Sequence, residues 1–111
     1  MSRTSKGLYR IRFVGGDKVY ELYAKKVYQG ELYGFVVVED LVFDTAGSVV
    51  VDPAQERLKR EFEGVQQTLI PMHSVLRIDR VEKQGVAKVS VLEGGKVAPL
   101  PTAPVYTPKT D

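Results

Sequence analysis

The sequence predicts an α+β fold: a strongly twisted antiparallel β-sheet, with a small open barrel as its more curled form, and one packed helix near residues 53–63. Three observations predict it. Apolar and charged residues alternate over residues 8–27, the period-two pattern of half-buried strands. Phe35-Val36-Val37-Val38 is a continuous apolar run, as expected of a strand covered on both faces. Asp52-Pro53-Ala54-Gln55 is the clearest helix start in the chain, pairing a capping Asp with Pro at the first helical position.

The first two strands form a hairpin over residues 8–27. Gly15-Gly16-Asp17 supplies a turn in which positive φ costs glycine little. Centring the loop on Gly16-Asp17 sets Phe13 opposite Tyr20, Ile11 opposite Leu22 and Tyr9 opposite Ala24 on one face. The other face then carries Arg12 opposite Glu21 and Arg10 opposite Tyr23. Moving the loop to Gly15-Gly16 would oppose Phe13 to Lys18, so the first register is preferred. Gln29-Gly30 ends the second strand, and a third runs over Leu32–Phe43. Asp44-Thr45-Ala46-Gly47 reads as a turn and Ser48–Val51 as a short β-branched strand.

The helix is expected over Pro53–Glu63, stopping at Gly64. Ala54, Leu58, Phe62 and Val65 make one narrow apolar stripe, so the helix lies on a sheet with its other faces in water. Glu56 and Arg60 are a favourable i,i+4 pair. Gln55 stands where a capping box takes Glu or Gln. Strands return at Thr68–Ile70, bounded by Pro71 at an edge or bend, then at Val75–Val86 and Ala87–Leu92, with a turn at Gln84-Gly85. In the second of these, Leu76 and Ile78 share one face and Arg77 and Asp79 the other. Four of six prolines fall at 99, 101, 104 and 108. The expected organisation is a flexible N-terminus (1–7), one domain (8–93) and an extended or disordered tail (94–111).

Length and composition bound the chemistry. The 111 residues, 43% hydrophobic and 27% charged, make one globular domain. There is no Cys, which removes disulfide frameworks, thiol catalysis and Cys-ligated zinc. The longest stretch without a formal charge is Gly64–Leu76, too short to span a bilayer. The start, Met1-Ser2-Arg3-Thr4-Ser5-Lys6, fits no secretory signal, so the expected location is the cytoplasm. Net charge is only +2, yet residues 1–27 carry +5 and residues 28–56 carry −6. If those segments are neighbouring strands they neutralise each other inside the monomer.

Candidate sites are few. His73 is the lone imidazole and the weak catalytic candidate. Its neighbour Ser74 points the other way on an extended chain, and a structural histidine bonded to a backbone carbonyl at the bend is the favoured role. Glu39, Asp40, Asp44 and Asp52 could offer oxygen ligands but match no calcium loop. Glu61 and Glu63 lie on different sides of a helix. No metal and no cofactor is expected. Gly15-Gly16-Asp17-Lys18 and Gly94-Gly95-Lys96 lack the spacing of a phosphate loop. Arg10, Arg12, Tyr23 and Lys25, with Val19, share the expected solvent face of the hairpin. Guanidinium groups beside an aromatic ring are what single-stranded nucleic acid uses for phosphate contact and stacking. Pro101-Thr102-Ala103-Pro104 is a minimal P-x-x-P of the kind Pro-rich tails contain by chance.

Two segments carry a resemblance. Asp52-Pro53 followed by Glu56–Val65, and Ile70-Pro71-Met72-His73-Ser74-Val75-Leu76-Arg77-Ile78-Asp79-Arg80-Val81-Glu82-Lys83, together resemble an uncharacterised, domain-of-unknown-function family of roughly 100-residue proteobacterial proteins. Lys18–Ala24 and Leu32-Tyr33-Gly34-Phe35 look like the same family, so the likeness covers about residues 8–90. It implies no catalytic residue. The expectation is a small, non-enzymatic, cytoplasmic binding or regulatory module that self-associates, most simply as a two-fold dimer, with a protein partner and no membrane contact. Two alternatives stand beside it: a small hydrolase or metal-assisted enzyme using His73 and nearby carboxylates, and a nucleic-acid adaptor acting through the hairpin face.

Overall fold

The structure, a computed structural model, describes residues 7–43, 52–93 and 96–99. Among these residues it is an α+β fold with one α-helix and an antiparallel sheet that is not closed. The strands are β1 (Leu8–Gly15), β2 (Lys18–Gln29), β3 (Phe35–Val42), β4 (Gln67–Pro71), β5 (Val75–Val81), β6 (Lys88–Glu93) and β7 (Lys96–Pro99); the helix α1 is Pro53–Glu61. The sheet runs β4-β3-β2-β1-β5, with β6 on β2 and β7 on β6. β4 and β5 are consecutive in sequence but end opposite edges of that path, joined by the 3₁₀ turn Met72–Ser74. The sheet must therefore curl to bring its two edges to one corner.

The hairpin register is the expected one: Phe13 faces Tyr20, Ile11 faces Leu22 and Tyr9 faces Ala24. Ile11, Leu22 and Val38 are fully buried, and with Phe13, Ala24, Phe43, Leu58, Ile70 and Ala87 they form the core.

β2 is long because it changes partners. Its first residues, Lys18–Glu21, pair with β6, whereas Tyr23–Gln29 pair with β3. Between Ala24 and Val27 the core-facing residue changes from even to odd numbering, and between Val38 and Leu41 β3 changes in step. The spacers are Lys25-Lys26 and Glu39-Asp40, facing charge doublets. Asp40 takes positive φ, 58°, which a short polar side chain tolerates better than a branched one. Each doublet turns the ribbon so that the next apolar residue re-enters the core. The two oppositely charged segments are thus neighbours where β2 meets β3, and Lys26 Nζ lies 3.8 Å from Asp40 Oδ2.

α1 begins as expected. Asp52 Oδ1 accepts from the N–H groups of Ala54 and Gln55 at 3.0 and 3.3 Å. Leu58 is buried and Phe62 packs on the core. Tyr20 stacks on Phe13 (centroids 5.1 Å) and meets Phe62 edge-on (6.2 Å), and Phe62 lies 6.3 Å from Phe43.

The structure corrects several expectations. The helix stops at Glu61, and Val65, past Gly64 (φ 84°), is exposed and not part of the buried stripe. Gln55 does not complete a capping box: its side-chain Oε1 accepts from Ala87 N at 2.9 Å, tying α1 to the approach to β6. β3 starts at Phe35, because Gly34 (φ 86°) closes a turn that includes Leu32 and Tyr33. β5 ends at Val81, and residues 82–87 form a crossover. Lys96–Pro99 pairs with β6, a strand beyond Ala87–Leu92, where the last one was expected. The expected turn at 44–47, the strand at 48–51 and the segments 1–6 and 100–111 lie outside the described residues.

Candidate functional site

The face opposite the core has two halves. The first belongs to the hairpin and β5. Registry places Tyr23, Arg10 and Asp79 in one row and Glu21, Arg12 and Arg77 in the next. Arg10 donates to Asp79 at 2.9 Å, and Arg77 Nε lies 3.1 Å from the same carboxylate oxygen. The bond from Arg10 holds the Asp79 carboxyl below its usual range, helped by Arg77 and opposed by desolvation. Arg10 is raised in turn, by Asp79 first and by the Tyr23 hydroxyl second. Arg12 Nε, itself buried, lies 3.5 Å from Glu21 Oε1 without a hydrogen bond.

This half is not the open aromatic–basic face the alternation implied. Tyr23 is 5% exposed and Val19 is buried. The crossover from β5 to β6 passes over the Tyr23 ring: a Cβ on Gly85 would stand 2.5 Å from its hydroxyl oxygen. Glycine is required at this approach because any side chain would strike the ring. Of the four candidate binding residues, Arg10 and Tyr23 are brought together, Arg12 is beside Glu21, and Lys25 is exposed in the β2–β3 doublet.

The second half lies on β2, β3 and β4. Tyr28, Val37 and Leu69 form one row across the three strands, and Phe35 faces Pro71. Val37 is buried although it lies outside the core cluster, so the run Phe35–Val38 is covered on both sides. Tyr28 and Leu69 beside it are exposed. Glu39 Oε2 accepts from Gln67 Nε2 (2.6 Å) and Tyr28 Oη (2.7 Å), which lowers the Glu39 carboxyl and raises the Tyr28 phenol. The row ends in a tip. Met72 N–H donates to Gly34 O at 2.8 Å, fixing the β2–β3 turn against the 3₁₀ turn. Leu32, Tyr33 and Met72 are exposed there, Tyr33 by 91%.

His73 sits in the 3₁₀ turn and is exposed. A groove of about 660 Å³ lies at the other end of β3, floored by Phe43 and Phe62 and rimmed by Asp40, Lys59, Arg60 and Glu63. The eight residues of β3 separate the two by roughly 23 Å, at ~3.3 Å per residue. The acidic residues offered as oxygen ligands are employed elsewhere: Asp52 caps α1, Asp40 lies by Lys26, and Glu39 accepts from Gln67 and Tyr28. Asp44 and Ser48 are outside the described residues. Among the described residues, no three His or acidic side chains gather as metal ligands, and no helix is long and apolar enough to cross a membrane.

Sequence reasoning missed Asp79 as the partner of Arg10, Gln55 as the anchor of Ala87, and the tip itself. Asp79 could have been found from the alternation of Val75–Val81 once β5 was paired with β1. The tip had no periodic signal, since Leu32 and Tyr33 belong to a turn.

Fold and surface together define a small open-sheet α+β protein with one charged, covered outer half and one apolar, open half. The chain belongs to the family described as Domain of unknown function (DUF1820), whose model matches residues 7–102. No curated protein and no solved structure matches it.

Proposed function

We propose that the protein is a non-enzymatic binding module of the bacterial cytoplasm, working as a self-associated pair that engages a protein partner through the apolar tip of its sheet. The observation that carries this reading is the tip: Leu32, Tyr33 and Met72 project from two turns held together by a 2.8 Å backbone hydrogen bond. A fixed cluster of large apolar groups in water is a mark of a protein-docking surface, and Tyr and Met are among the residues enriched at such surfaces. The cysteine-free composition suits a reducing compartment, and the bacterial setting follows the family resemblance. The hydrolase alternative is less favoured because His73 stands at the opposite end of β3 from the groove. The nucleic-acid alternative is less favoured because Arg10 is engaged with a carboxylate and the ring of Tyr23 is covered.

The test is affinity purification from the native cell, with and without nuclease, comparing the wild type with Leu32→Ser/Tyr33→Ser. The reading expects a protein captured by the wild type, insensitive to nuclease and lost with the variant. Capture that disappears with nuclease, or that survives the variant, overturns it.

A further inference from the structure

Self-association, part of the reading above, needs a surface, and β5 has the features of one. β1 occupies one side of β5, and among the described residues no strand lies on the other. A bare strand edge is a template for pairing unless blunted by proline, lysine or a bulge. Val75-Leu76-Arg77-Ile78-Asp79-Arg80-Val81 has neither proline nor lysine, and its register shift lies at the start, opposite Arg12/Phe13. The core row Leu22–Ile11–Ile78 runs from two buried residues to one that is 40% exposed. Another apolar residue beside Ile78 would complete it.

The charge pattern selects that neighbour. A two-fold axis normal to the sheet pairs β5 with itself antiparallel and keeps like faces together only when some residue meets its own copy. Centring on Arg77 opposes two arginines and sets Val75 against Asp79. Centring on Asp79 opposes two carboxylates, and centring on Arg80 opposes two arginines. Centring on Leu76 sets Arg77 against Val75. Centring on Ile78 opposes Ile78 to Ile78 and, twice, Arg77 to Asp79 of the second copy, with Leu76 against Arg80 at the register shift. Arg77 has reason to take that partner. It already bonds the Asp79 of its own chain at 3.2 Å, but its neighbour across β1 is Arg12, a like charge, and its side chain is 68% exposed, leaving further donors for a second carboxylate. Asp79 is already oriented by Arg10 at 2.9 Å, and a carboxylate can accept from more than two donors.

We propose that two copies of this chain join through β5, antiparallel and centred on Ile78, so that one sheet runs through the dimer with an Arg77–Asp79 pair on each side of the axis. This rests on the self-association reading, and the test separates the two. The full-length protein is followed by sedimentation velocity up to roughly 0.5 mM, which detects dissociation constants near 1 mM. The wild type is expected to dimerise. Arg77→Glu replaces both cross-axis attractions by repulsions and is expected to weaken the dimer more than about tenfold; because it also removes the bond to Asp79 of the same chain, a thermal melt checks that the variant stays folded. Because the chain has no cysteine, Ile78→Cys provides a second readout. Directly opposed residues of antiparallel strands have Cα atoms about 4.5–5.5 Å apart, within disulfide reach, so mild oxidation is expected to link two copies. A wild-type dimer that Arg77→Glu does not weaken and Ile78→Cys does not link would overturn the β5 interface while leaving self-association standing. A wild type that stays monomeric throughout overturns both.

Discussion

Tyr23 and Tyr33 come from the same sheet and have opposite fates. Tyr23 lies mid-strand, 5% exposed, opposite Arg10 with its hydroxyl under Gly85; Tyr33 lies in a turn, 91% exposed. The difference teaches how this small sheet divides its outer face. Where a crossover passes over the sheet, polar and aromatic groups are consumed in holding it down. Where no described segment passes, apolar groups stay exposed. A charged row is therefore weak evidence of a binding site until its internal partners are counted, and here Asp79 and Glu21 account for Arg10 and Arg12.

The comparison can be broken by stability measurements. Tyr23→Ala is expected to cost roughly 3–5 kcal/mol, as for other buried aromatic truncations, whereas Tyr33→Ala should stay within about 0.5 kcal/mol. Denaturant melts that ranked the two equally would remove the distinction between covered and open halves.

The next effect sharpens the role of the core-facing tyrosine. Burial, and then the hydrogen bond to Glu61, push the Tyr20 phenol up to about 12. The unfolded chain releases that proton near pH ~10. Stability from this group is therefore complete below pH ~10 and is lost as pH rises toward about 12. Tyr20→Phe cannot titrate, so its stability should fall less than the wild type's across that window. Parallel pH–stability curves would contradict the assignment.

Smaller effects follow at the helix and the ribbon bend. Asp52→Ala removes the acceptor of two N–H groups and should cost about 0.5–2 kcal/mol in a chemical melt. Asp40→Gly relieves a positive φ at a site whose ion pair is long and exposed. It should raise stability by roughly 0.5–1 kcal/mol, while Asp40→Val should lower it.

Much of the fold was legible because local pattern and tertiary need agreed. The hairpin register followed from placing Gly16-Asp17 at the loop, and the helix start from Asp52-Pro53. The parts that were not legible depend on distant chain. Nothing near Tyr23 announces that Gly85 will cover it, since period two assigns a face but not what passes over that face. Gln55 looked like a capping residue because the donor it accepts from instead, the N–H of Ala87, is 32 residues away. β7 was hidden by proline density: Pro99 is tolerated at the end of an edge strand, and the composition of Gly94 onward resembles a tail. Two legible signals went unused. Lys25-Lys26 and Glu39-Asp40 each interrupt the alternation by one residue, which is the mark of the bend in the ribbon. The Arg-Ile-Asp centre of β5 becomes meaningful once that strand is known to be an edge.

The central claim is that the apolar tip, and not the charged hairpin face, meets the partner. The most direct test is photo-crosslinking in the native cell, with a photoreactive residue in place of Tyr33 in one strain and of Arg12 in another. The account predicts discrete protein adducts from position 33 and none from position 12. Adducts from position 12 alone, or nucleic-acid adducts from either, would contradict it.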